Sequence, residues 1–142
     1  MTLQYDAYKE TAINTSDNVR IVSLLLDGAI NFMLAARGKM EQNDITGKGL
    51  YLGKATAIVS ELLKSLNIEE GGEVAANLRR LYDFILDRLL TANRKSDINS
   101  LHEAERVLEN IRIGWKEMER GRFASHSSSA HASMNEGMAV RA

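Results

Sequence analysis

The chain has 142 residues, 44% hydrophobic and 26% charged, with formal net charge -1 and neither cysteine nor proline. That length and composition fit one domain with one core. They exclude disulfides, thiolate zinc sites and a cysteine nucleophile, and they lack the basic surplus with which nucleic-acid binders neutralise phosphates.

Residues 1–15 are polar and irregular, with Tyr5 and Tyr8 three apart, a spacing that places both rings on one face of any helix formed there. Nothing in Met1–Asp6 resembles the basic head and apolar core of a secretory leader, so none is expected. The apolar stretch from Ile21 to Ile30 is broken by Asp27 and Gly28, and no stable membrane insertion is expected from it.

Val19, Val22, Leu26, Ala29 and Met33 recur at steps of three and four, the pattern of a bundled helix, with Ser16 or Asp17 as its cap. Residues 41–49 read as a turn. A second helix follows from near Leu50 to Leu66, with Tyr51, Ala55, Ile58 and Leu62 on one stripe and Val59, Leu63 and Leu66 beside it. Gly71-Gly72 closes the next break. The third helix carries Ala75, Leu78, Tyr82, Ile85, Leu89 and Ala92, and Asn93 is its expected C-terminal cap. Ser100 and Glu103 have capping-box spacing, with Asp97 as a rival cap. The fourth helix continues through Leu101, Ala104, Leu108, Ile111, Trp115 and Met118, with Gly114 as a point of close approach. From Phe123 the pattern stops in a serine-rich tail with too little apolar surface to offset its ordering entropy.

The expected fold is therefore all-α: an antiparallel four-helix bundle over 16–122, an N-terminal cap segment over 1–15 and a disordered tail over 123–142. No sequence motif for catalysis appears. A di-metal bundle site needs Glu-x-x-His pairs, and no glutamate precedes His102, His126 or His131 by three. Gly47-Lys48-Gly49 is not a phosphate loop, and no nucleophile elbow occurs. The expectation is a non-enzyme without cofactor or metal.

Specific words in the sequence go further. Glu70-Gly71-Gly72-Glu73-Val74-Ala75-Ala76-Asn77-Leu78, then Leu81-Tyr82-Asp83-Phe84, then Leu89-Leu90-Thr91-Ala92-Asn93 resemble the central signature of the FliS flagellar export chaperones. Leu25-Leu26-Asp27-Gly28-Ala29 resembles that family's first-helix block, and Tyr5, Tyr8 and Trp115 match in order and spacing. The similarity covers roughly residues 5–120. The chain departs from the family at Leu26, where tyrosine is usual, and at Ser16-Asp17, where Ser-Pro is common.

The resemblance implies a bacterial cytoplasmic chaperone. It would bind the C-terminal segment of flagellin, prevent premature polymerisation and present the client to the flagellar export gate, with room for a co-chaperone and with no catalysis or cofactor. Helix-in-groove recognition then directs attention to apolar residues off the heptad stripes. These are Ile21, Leu24 and Leu25 on the first helix and Val74 and Leu81 on the third, with Asn77 placed to hydrogen-bond client backbone or to close a local turn. The competing reading is that these side chains only widen the core. Tyr5 and Tyr8 either pin the N-terminus or cover the client groove when it is empty. The rival functions are a helical adaptor or regulator with another amphipathic client, an enzyme, and a structural oligomer.

Overall fold

The structure, a computed structural model, describes residues 15–139, with side-chain surroundings for 17–122. Four helices follow one another: α1 (Thr15–Glu41), α2 (Ile45–Lys64), α3 (Ile68–Lys95) and α4 (Ile98–Ala139). No strand occurs among the described residues. Tyr5 and Tyr8 lie outside them. The helical backbone of α4 is described to Ala139, within the tail expected over 123–142, and side chains beyond Arg122 are outside the described set.

Residues 24–112 form one compact unit that contains part of every helix. Its contacts fix an up-down-up-down order. Gly28 and Phe32 of α1 meet Ile58 and Tyr51 of α2 in descending register. Lys48 near the start of α2 reaches Asn93 near the end of α3, and Arg88 of α3 reaches Glu103 of α4 at 3.3 Å. Asp27 and Arg37 of α1 pair with Arg112 and Glu105 of α4, again in descending order. Heptad spacing explains why these helices assemble, because each carries one continuous apolar stripe that only a neighbour can cover. Leu26, Ala29, Met33, Ala55, Val59, Ile85, Ala92, Leu101, Ala104 and Leu108 are 0% exposed. Tyr82 is almost fully buried among them, which pushes its phenol up to about 12.

The second unit joins the described parts of the chain ends, up to Ser23 and from Ile113 onward. There Trp115 is half-buried rather than enclosed, and its indole N–H donates to the Val19 carbonyl at 2.9 Å. Gly114 faces open space, so it brings no neighbour closer. Met118, expected on the core stripe, is 40% exposed.

The helix ends correct several sequence expectations. α2 begins at Ile45, five residues before Leu50, because Asp44 caps it by accepting from the Gly47 N–H at 2.9 Å. A side chain at position 47 would meet Asp44 Oδ2 and Lys39 Cδ at 2.7 Å, so a larger residue would have to displace the capping carboxylate or the Lys39 stem. Asp97, not Ser100, caps α4: it accepts from the Asn99 N–H at 3.0 Å and the Ser100 hydroxyl at 2.9 Å. The Ser100 bond holds the Asp97 carboxyl below the usual range. Glu103 is left to pair with Arg88. α3 ends on Ser96 in the left-handed conformation (φ 50°), with Asn93 still inside the helix.

The break expected over 67–72 is instead a short connection over 65–67, followed by one non-helical residue inside α3. Asn67 caps a first turn by accepting from the Glu70 N–H at 3.1 Å, and Gly72 then departs from the helix at φ 58°, ψ -132°. L-residues rarely occupy that region, so Gly72→Ala should cost about 1–3 kcal/mol. Thermal denaturation checks this; an unchanged midpoint would contradict the backbone geometry at Gly72.

α1 bears on the membrane expectation. The 25 residues Asp17–Glu41 are long and apolar enough, by length and composition alone, to cross a bilayer, a property that the core helix of a bundle shares. Its Asp27 and Arg37 are tied to α4 by ion pairs. Glu105, the partner of Arg37 at 3.6 Å, keeps its Oε2 buried without a hydrogen bond, and burial pushes its carboxyl up.

Candidate functional site

Two helix faces retain apolar side chains that the bundle does not use. On α1, Leu24 is 55% exposed and Leu34 is 44% exposed, while Leu25 is half-buried. Leu25, Gly28 and Phe32 are spaced by three and four, so they share the side of α1 that turns to α2. Phe32 stacks on Tyr51 with ring centroids 6.1 Å apart, and the Lys54 ammonium lies over the Phe32 ring at 5.4 Å. Ile21, in the unit formed by the chain ends, is also exposed.

On α3, Val74 is 69% exposed and Leu81 39%. Asn77 lies between them and accepts a hydrogen bond from Arg80 one turn on, so its side-chain oxygen is engaged within its own helix. Phe84 continues the same stripe at three residues from Leu81 and is exposed. Arg88 covers the edge of this stripe: its guanidinium sits 5.8 Å from the Phe84 ring centroid and bridges to Glu103 of α4. The face therefore runs along the α3–α4 seam.

The off-heptad residues named from sequence thus fall on two separate surfaces. Leu24 and Leu25 belong to α1, and Val74, Asn77 and Leu81 belong to α3. Sequence reasoning missed Phe84, whose three-residue step from Leu81 was the available signal. It also missed the Phe32–Tyr51–Lys54 group, which becomes visible only once α1 and α2 are placed side by side.

A third feature lies at the end of the bundle where the α1–α2 and α3–α4 connections approach each other. A cavity of about 240 Å³ is lined there by Met40, Asp44, Ile45, Lys48, Ser96 and Ile98, among others. Lys48 is only 6% exposed, and its ammonium donates to the Asn93 carbonyl at 3.0 Å and the Ser96 hydroxyl at 2.6 Å. That placement suits a cation at a helix C-terminus, where the backbone carbonyls of α3 carry partial negative charge.

Comparison with known proteins places this geometry in context. The family described as flagellar protein FliS matches residues 1–122. The chain is 39% identical over 110 residues to the flagellar secretion chaperone FliS of Salmonella typhimurium, covering 77% of this chain and 82% of that one. It is 37% identical over 106 residues to the flagellar secretion chaperone FliSB of Pseudomonas aeruginosa, covering 75% and 84%. With the FliS of Vibrio cholerae the identity is 33% over 116 residues, covering 79% and 85%.

Proposed function

The chain belongs to the FliS family of flagellar secretion chaperones, and from that premise we propose that it binds the C-terminal segment of flagellin in the bacterial cytoplasm. It holds that segment back from polymerisation and delivers it to the flagellar export gate. The role is one of binding, without catalysis or cofactor.

One observation carries this reading: α1 leaves large apolar side chains exposed beside the stripe that it buries, with Leu24 at 55% and Leu34 at 44%. Large apolar side chains gathered on an exposed helix face mark a surface that a partner covers. Here the bundle covers one stripe and leaves Leu24 and Leu34 outside. An amphipathic client helix supplies the missing cover, and the exposed stripe of α3 supplies a second track.

The energetics favour an extended client. Ordering a free segment costs about 1–2 kcal/mol per residue for the backbone alone, so one short contact cannot hold it. Each large apolar side chain buried on either partner returns about 1.5–3 kcal/mol. A path over two faces collects several such side chains, and it hides on the client the apolar surface that would otherwise pair with other subunits.

The test is size-exclusion chromatography with purified flagellin, full length and lacking its C-terminal segment. A stoichiometric complex is expected with the first and none with the second. Equal co-elution of both would refute the tail as the client.

A further inference from the structure

Lys48 is the one buried charged side chain among the described residues, and it takes part in no ion pair there. A lysine ammonium has three N–H donors and no acceptor. Two are directed to neutral oxygens, the Asn93 carbonyl and the Ser96 hydroxyl. The third is left beside a cavity of about 240 Å³ that Lys48 itself lines. Buried charges are ordinarily matched by an opposite charge, and the partial charge of a helix end supplies about half of one.

We propose that this cavity receives the α-carboxylate at the end of the bound flagellin segment, with Lys48 as its cationic partner. The assignment rests on the reading of the client as a C-terminal segment, because only a chain end carries that group.

The walls agree with such a guest. Met40, Ile45 and Ile98 give an apolar rim, and Ile45 is 68% exposed, so a terminal side chain has a surface to rest on. Asp44 is the acidic group on the lining, but it is engaged elsewhere. Its Oδ1 caps α2 at Gly47, and its Oδ2 faces the Lys39 ammonium at 3.6 Å. The carboxylate of a guest therefore meets Lys48 as the cation on the lining. Capture of a chain-terminal carboxylate is a known way of fixing register, since it distinguishes an end from any internal stretch of the same sequence. An amphipathic helix alone can slide by one turn along an apolar stripe; a terminal anchor prevents this.

The experiment is isothermal titration of the full-length protein with two synthetic peptides of the flagellin C-terminal segment, one a free acid and one C-terminally amidated. The acid is expected to bind at least about tenfold more tightly, the range of a charge-assisted hydrogen bond. Lys48→Met should bind both peptides alike, at the affinity the amide has for the unaltered protein. Circular dichroism monitors the fold of Lys48→Met, because Lys48 also closes the end of α3. If that variant fails to fold, the comparison of the two peptides on the unaltered protein decides alone. Equal affinity for acid and amide overturns the assignment and leaves the chaperone reading intact, as does discrimination that persists in a folded Lys48→Met. A segment that binds in neither form overturns both.

Discussion

Leu24→Glu and Leu81→Glu should each weaken binding of the flagellin segment by roughly ten- to hundredfold, with little change in the helical spectrum or melting temperature. The reasoning begins with exposure. Leu24 is 55% exposed and Leu81 39%, so a glutamate at either position reaches water without opening the core. Surface substitutions of this kind typically change stability by no more than about 0.5 kcal/mol. Binding is different, because the client must cover these positions. Loss of one buried leucine forfeits about 1.5–3 kcal/mol, and a carboxylate trapped against an apolar client adds a desolvation cost. Titration calorimetry against the flagellin segment checks both variants. Unchanged affinity at both would mean that the client does not cover these positions.

The opposite behaviour is expected from Leu108→Ala. Leu108 lies on the heptad stripe of α4 and is 0% exposed. Truncating it removes buried methyl groups and leaves a cavity that closely packed helices refill only in part, a loss of about 2–5 kcal/mol. A domain of this size has about 5–15 kcal/mol in total, so the melting temperature should fall by about 10 °C or more. The fraction that stays folded should still bind flagellin with near-normal affinity. Urea denaturation together with binding at low temperature separates the two effects. A small stability loss with a large affinity loss would invert the division between inner and outer faces on which the account is built.

That division was only half legible in the amino-acid sequence. Steps of three and four identify an inner stripe without reference to a partner, and Leu26, Met33, Tyr82, Leu89 and Leu108 are buried as that pattern requires. Where a stripe stops depends on the neighbour. Val22, Ile58 and Leu78 sit at its margin and are half-buried, and Met118 lies beyond it. Helix ends depend on side-chain geometry that spacing does not fix. Asp44 could have belonged to the turn, yet it caps α2 and draws Gly47 and Lys48 into the helix. For this reason the Gly47-Lys48-Gly49 run reads as a loop in sequence and becomes a buried ammonium in the fold. Val74 and Leu81 follow from their register, and Phe84 extends it by three residues, whereas the edge at which Arg88 ties α3 to α4 depends on the packed helices.

The central claim is that apolar faces left outside a closed bundle are covered by the flagellin tail. Methyl NMR with a soluble paramagnetic agent tests it most directly, since the agent broadens only those methyl signals that solvent can reach. In the free protein Leu24, Val74 and Leu81 should broaden strongly while Val59 and Leu108 stay sharp. On saturation with the flagellin segment the first three should sharpen to the level of the core. Should they remain as broad in the complex as before, the client binds elsewhere and the account is wrong.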